Sequence, residues 1–271
     1  MSDIITDASP ASLARANELH LEEAFAACAL AYGGGVRDEP DLRFCASGIP
    51  NAAWNRVVRA HLAPETADDR IEWVIEQARA LNVPFLWNIG PSMRPNNLGD
   101  YLVRHGFTDV GGEVAMGMPL ADLPDSLALP AGGAIERVRD HAALETWVAT
   151  MCAGFGAPPE AVEPQLTAIA RDTFDDNAAA HYYVASLDGE PVAVAAMTLV
   201  GGIAGVFCVA TIESARRRGI GAAVTLAPLL DARAAGYQIG VLQASEMGCP
   251  VYQRIGFTEQ FRYHDYLWSP A

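Results

Sequence analysis

Val206-Phe-Cys-Val-Ala-Thr-Ile-Glu-Ser-Ala-Arg-Arg-Arg-Gly-Ile-Gly-Ala-Ala223 is the stretch that decides how this chain is read. An apolar run of strand character enters a turn made of Arg216, Arg217, Arg218, Gly219 and Gly221, and the chain leaves as an alanine-rich helix with no breaker before Pro228. The first N–H groups of a helix have no intrahelical partner, and the summed peptide dipoles place partial positive charge there. Phosphate binds readily at such an end. Two glycines remove side chains where the backbone must approach an anion, and three arginines add charge beside it. The stretch therefore reads as an anion cradle. It is not a P-loop, because Gly221 is followed by Ala222 and Ala223 rather than Lys-Ser/Thr. It is not the dinucleotide fingerprint either, because Val224 stands where a small third residue is needed.

Arg216-Arg217-Arg218-Gly219-Ile220-Gly221 spells Arg-x-x-Gly-x-Gly at a strand-to-helix junction. This resembles the acyl-CoA signature of the GNAT N-acyltransferase superfamily. The resemblance implies that the amides from Arg216 through Ala222 hold a CoA pyrophosphate, and that Val209, Ala210 and Thr211 pair with the pantetheine arm like an added strand. A second stretch, Leu242 to Phe257, supports it. Many GNAT enzymes carry an Asn seven residues before a helix-borne Tyr, then a basic residue and Gly-Phe. Here Tyr252, Arg254, Gly256 and Phe257 match, and Ser245 stands where the Asn would be. A phenol with a pKa of about 10 can protonate a departing thiolate of similar basicity, so the resemblance makes Tyr252 the candidate general acid. Ser245 is expected to bond the arm or a water. Two departures are Ser245 itself and Glu213, where family members often have Pro. Glu213, Glu246, His181 and His264 are all conceivable general bases, and the sequence does not choose among them.

With 271 residues, 51% of them hydrophobic, the chain is long enough for one large or two medium domains. Its formal charge of −15, from 33 acidic and 18 basic residues, argues against nucleic-acid binding, which depends on neutralising phosphates. An acidic surface suits a cationic acceptor such as an amine. Cys28, Cys45, Cys152, Cys208 and Cys249 are odd in number and widely spaced, so neither a metal site nor a disulfide framework is expected. No signal peptide or membrane span is legible, and a cytoplasmic protein is the expectation.

Along the chain, residues 11–32 read as a helix stopped by Gly33-Gly34-Gly35. Strands are expected at 42–47 and 52–61, a helix at 66–81, a strand at 83–89, a helix at 97–104 and a strand at 107–118. Residues 119–133, rich in proline and small residues, read as a linker. Beyond it come a strand at 135–139, helices at 141–154 and 160–173, and strands at 181–187, 191–200 and 203–211. The cradle, a helix at 220–235, a strand at 239–245, a helix at 248–255 and a strand at 257–268 complete the order, which resembles that of a GNAT domain.

The halves also echo each other. Leu102-Val-Arg-His-Gly-Phe-Thr108 and Tyr252-Gln-Arg-Ile-Gly-Phe-Thr258 share Arg, Gly, Phe and Thr, while Leu62-Ala63-Pro64-Glu65 has neither Gly-x-Gly nor arginines before its helix. The expectation is an α/β (α+β) fold of two GNAT-like domains, each a mixed, mostly antiparallel sheet flanked by helices. Residues 1–118 would be a degenerate copy, 119–133 a linker and 134–271 the catalytic domain, with one active site per chain. The implied co-substrate is acetyl-CoA or another acyl-CoA, with no metal, and the implied acceptor is a small-molecule amine. A non-catalytic acyl-CoA sensor and a user of carrier-protein thioesters are the alternative readings; an acyl carrier protein and a homodimer are further partners to consider.

Overall fold

The computed structural model describes residues 3–124, 128–169, 174 and 178–270. The first half contains α1 (Pro10–Ala31), β1 (Gly35–Asp38), β2 (Leu42–Ala46), β3 (Asn55–Ala60), α2 (Ala67–Leu81), β4 (Phe85–Ile89), α3 (Leu98–Arg104), β5 (Thr108–Asp109) and β6 (Val114–Pro119). The second contains β7 (Gly133–Arg137), α4 (His141–Phe155), α5 (Val162–Ile169), β8 (Ala180–Leu187), β9 (Glu190–Val200) and β10 (Ile203–Thr211). It ends with α6 (Ile220–Ala234), β11 (Ile239–Ala244), α7 (Cys249–Arg254), β12 (Thr258–Arg262) and β13 (His264–Trp268).

These elements form two mixed sheets flanked by helices. One compact unit, Leu21–Ala115 with Phe261–Ala271, holds the six-stranded sheet β1-β2-β3-β4-β13-β5. The apolar face of α2, Ile71, Val74, Ile75 and Ala78, packs there with Phe44, Phe85 and Trp87; its spacing of three and four residues is what a helix needs to bury one stripe. The other unit, Met1–His20 with Met116–Gln260, holds the seven-stranded sheet β12-β6-β11-β10-β9-β8-β7. Its long hairpins follow local turn chemistry. Asp188 and Gly189 join β8 to β9 with φ of 51° and 87°, the doubly left-handed turn that suits twisted strands.

The units interleave along the chain: each takes one strand from the far half. Residues 107–118 and 257–268 each read as a single strand, yet each divides between the two sheets, as β5 and β6 and as β12 and β13. The division falls where Tyr263 N–H donates to the Glu113 carbonyl at 3.0 Å. A Cβ on Gly112 would overlap the Tyr263 carbonyl, so glycine is required at this approach. In one sheet β6 is the inner strand and β12 the edge; in the other β13 is inner and β5 the edge.

Smaller differences have local causes. Residues 52–54 form a 3₁₀ turn before β3, because the Asn51 side chain accepts from the Ala53 N–H at 2.9 Å. The linker expected at 119–133 begins as packed structure: Leu120 and Leu123 are buried, and Leu120 N–H donates to the Gln238 carbonyl. Its residues 125–127 lie outside the described residues. The helix expected at 160–173 is a 3₁₀ turn, Pro159–Ala161, followed by α5, and 170–173 lie outside the described residues.

Candidate functional site

The site begins where two parallel strands part. β10 and β11 are in register only at Ala204↔Gly240, Gly205↔Val241 and Val206↔Leu242. Beyond Val206, β10 keeps β9 on one side, with Ala210↔Val194 and Thr211↔Ala193, after a bulge between Phe207 and Ala210. Cys208 in the bulge has φ of +50°, a left-handed conformation that L-residues seldom adopt and that shifts the strand's register. On the β11 side, the backbone of Val209, Ala210 and Thr211 meets no other main chain among the described residues. An extended ligand could add there as a strand.

Past Thr211 the chain makes a 3₁₀ turn, Glu213–Ala215, and runs through the arginines into α6. Arg217 and Gly219 take φ of +61° and +82°, and left-handed residues in such a turn aim successive N–H groups to one side. The first α6-type bond runs from Ala223 N–H to the Gly219 carbonyl. Among the described residues, the N–H groups of Arg217, Arg218, Gly219, Ile220, Gly221 and Ala222 therefore donate to no backbone carbonyl. The two glycines have different reasons to be glycine. Gly219 needs its positive φ, whereas a Cβ on Gly221 would meet only Thr211 Oγ1, at 3.4 Å, an ordinary contact. Among the described residues nothing requires glycine at 221, and the space over it suits a group from outside.

The three arginines divide their work. Arg216 Nε donates to the Thr211 carbonyl at 3.0 Å and Arg216 Nη2 to the Gly154 carbonyl at 2.9 Å, so this guanidinium ties the loop to β10 and to the end of α4. Arg217 and Arg218 are exposed and form no ion pair among the described residues, so their charge stays available in an otherwise acidic protein. The sequence reading missed Gly154. A Cβ there would come within 2.7 Å of Ala210 Cβ and 3.2 Å of Thr211 N, so glycine lets α4 press on the bulged strand. A lone glycine inside a strong helical pattern was the available signal.

Ser245 and Tyr252 meet around Gly248. A Cβ on Gly248 would lie 2.9 Å from the Tyr252 ring and 3.4 Å from Ser245 Oγ. Ser245 is exposed and its Oγ accepts from Gly248 N–H at 3.2 Å, capping the turn into α7. The hydroxyl expected to bond the arm thus has a structural task, though its own proton remains to donate. Tyr252 is 9% exposed and lies edge-on to Phe257 with centroids 6.2 Å apart. The α7 end repeats that of α3 bond for bond: Phe257 N–H reaches Tyr252 O and Phe107 N–H reaches Leu102 O, both at 3.1 Å. Gly256 and Gly106 both take the left-handed cap position.

The acids and imidazoles considered as bases scatter. Glu213 and Glu246 are exposed, His181 is buried on β8, and His264 lies on β13 in the other unit's sheet. A histidine that the sequence reading did not consider, His20, lies against β10. It is fully buried, stacks on Phe207 with centroids 5.5 Å apart, and lies 3.2 Å from the Thr198 carbonyl through Nε2. A Cβ on Gly205 would fall on its ring. Burial pushes its pKa down to about 4, so at neutral pH it is uncharged, with Nε2–H donating to the carbonyl.

The description Acetyltransferase (GNAT) family fits residues 145–257, a span that holds the cradle, Ser245 and Tyr252. Among solved structures, a GCN5-related N-acetyltransferase from Kribbella flavida superposes with a TM-score of 0.71 at 20% identity, covering 95% of each chain. A functionally unknown conserved protein from Staphylococcus epidermidis gives 0.67 at 13% identity, over 87% of this chain and 93% of that one. A tandem GNAT protein from the clavulanic acid biosynthesis pathway gives 0.56 at 16% identity, over 85% and 79%. At these identities the likeness is one of fold, and it extends over both units. No curated protein matches the chain. Residues 145–257 form a domain of the GNAT acetyltransferase family.

Proposed function

We propose that this protein is an N-acyltransferase that moves an acyl group, acetyl in the first instance, directly from CoA to the nitrogen of a small amine. The observation that carries this reading is the pairing of two backbone edges that no other main chain fills among the described residues, the β11 side of Val209–Thr211, where the Thr211 carbonyl is held by Arg216, and the amides of Arg217–Ala222. The first suits an extended amide-bearing arm and the second a diphosphate. Arg217 and Arg218 supply countercharge, and Gly221 leaves room for the close approach.

In the reaction the amine nitrogen forms a bond to the thioester carbonyl carbon, and the carbon–sulfur bond breaks. Holding the two reactants side by side removes most of the entropic cost of their encounter. Tyr252 gives its phenolic proton to the departing thiolate, and the proton lost by the amine leaves through water, which also returns one to the phenolate. The proposed partner is a small amine, and the proposed location is the cytoplasm. No helix among the described residues is long and apolar enough to cross a membrane.

Acetyl-CoA titration followed by a thiol-release assay across amine classes tests the reading. Saturable binding with amine-dependent thiol release is expected; no binding, or binding without release, contradicts it. Tyr252→Phe should lower kcat by roughly one hundredfold or more while acetyl-CoA affinity stays the same, and wild-type turnover would remove Tyr252 from the mechanism.

A further inference from the structure

Gln243 stands on β11 one residue past Leu242, the last position in register with β10. Strand alternation places it on the face that carries Ile239 and Val241, against which Leu13 and Ala16 of α1 pack. Its side-chain amide has a determined orientation. The Met116 carbonyl can only accept, so the Asn17 side chain, 2.8 Å away, turns its nitrogen there. Asn17 Oδ1 then faces Gln243 and can only accept, so the Gln243 nitrogen, again at 2.8 Å, is the end held by α1. Asn17 is fully buried, which makes an alternative arrangement with two facing carbonyl oxygens costly. The end left over is Gln243 Oε1. It accepts no hydrogen bond among the described residues, and Gln243 is only half-buried. On the same face of β10, half-buried Phe207 follows Val206 where the strands part, and His20 stacks on its ring.

We infer that Gln243 Oε1 accepts a hydrogen bond from the N–H of a primary amine, the acyl acceptor, beside the Phe207 ring, and that Asn17 is the positioning residue that aims it. The inference rests on the N-acyltransferase reading above and adds how the acceptor is held. The choice of an amide has a chemical consequence. A carboxylate in this place would stabilise the ammonium form and delay its deprotonation, whereas a neutral carbonyl oxygen holds an N–H while leaving the nitrogen lone pair available. The acceptor grip is therefore partly built by α1, from outside the residues 145–257 that match the acetyltransferase family.

The test uses the full chain with acetyl-CoA and a panel of ethylamine, benzylamine, phenethylamine and spermidine, read by thiol release, with acetyl-CoA affinity measured separately by calorimetry. Gln243→Leu should raise the KM for the preferred amine at least tenfold and leave the acetyl-CoA affinity unchanged. Gln243→Glu, which keeps the side chain's shape, should move the rise of kcat/KM for the amine to higher pH, a change that a merely structural role would not produce. Asn17→Leu should raise the amine KM severalfold through a misaimed amide, with acetyl-CoA affinity kept as the sign of an intact fold. An unchanged amine KM in Gln243→Leu together with an unshifted pH profile in Gln243→Glu overturns the inference and leaves the acyltransferase reading standing. A wild type that binds acetyl-CoA but acetylates no amine also overturns it, and a wild type that binds no acetyl-CoA overturns both.

Discussion

The two units contain the same strand–helix–strand unit and finish it in opposite ways. In one, β3, α2 and β4 pair at Arg56↔Leu86 and Val57↔Trp87, and the chain then fills the parting strands with its own backbone. Arg94 N–H donates to the Ala60 carbonyl at 2.9 Å, Leu62 N–H donates to the Arg94 carbonyl at 3.0 Å, and buried Met93 joins the core. In the other, β10 and β11 part in the same manner and no main chain among the described residues enters. The helix starts differ too. The first turn of α2 carries Asp68 and Asp69, which answer the helix dipole from within, whereas α6 has no acid there and leaves its amides open. On the proposed reading the CoA slot is a partial sheet left unfinished, and the unit with the six-stranded sheet fills the corresponding gap with residues 93–95.

The largest effect should come from closing the open slot. Gly221→Val places a branched side chain over the cradle and should weaken acetyl-CoA binding by at least one hundredfold in a calorimetric titration, while Glu65→Val at the corresponding approach to α2 should leave it unchanged. A second comparison concerns packing. Gly205→Ala drives a Cβ into the His20 ring and should lower unfolding stability by about 2–3 kcal/mol, measured by denaturant titration, because the buried imidazole has nowhere to move.

The units should also differ in pH response. His20, held near 4 by burial against an ordinary 6.5, stays neutral in the folded chain while the unfolded chain takes up a proton. Its contribution, on the order of 3 kcal/mol, is therefore present above about pH 6.5 and is lost as pH falls toward 4. In the other unit, burial raises the pKa of both Glu113 and Asp265, with the Arg56 charge opposing the shift. Their folded forms hold protons longer, so stability there falls as pH rises from the unfolded carboxylate value through the folded one. Hydrogen exchange across pH 4–7 should show the seven-stranded sheet losing protection toward acid, and His20→Leu should flatten that slope. The smallest effect should come from Asp68→Asn with Asp69→Asn: removing the acids of α2 should create no second acetyl-CoA site, because Arg94 still occupies the strand edge.

What could be read from the sequence was local. The cradle lies within a few consecutive residues, and the glycine conformations, the Arg216 loop and the α6 start follow from their order. The helix-end repeat was visible because Arg-x-Gly-Phe-Thr encodes one cap geometry twice. The strand exchange was not legible: residues 107–118 and 257–268 each read as one strand, and where each divides depends on the long-range approach of Gly112 to Tyr263. The Arg94 segment was equally silent, since a Gly-, Pro- and Asn-rich stretch looks like coil until its backbone is seen to pair. Gln243 and Asn17 stand 226 residues apart, and no periodicity links them. Arg216 was read with its neighbours as part of the anion cradle, from its charge and from the resemblance; its two bonds to carbonyls give it a latching task that the sequence does not distinguish.

Whether one slot is open and the other filled from within is decided by the stoichiometry of acetyl-CoA binding to the full chain in isothermal titration calorimetry. A single site per chain that disappears in Gly221→Val is expected. Two sites per chain, or one that survives Gly221→Val intact, would contradict it.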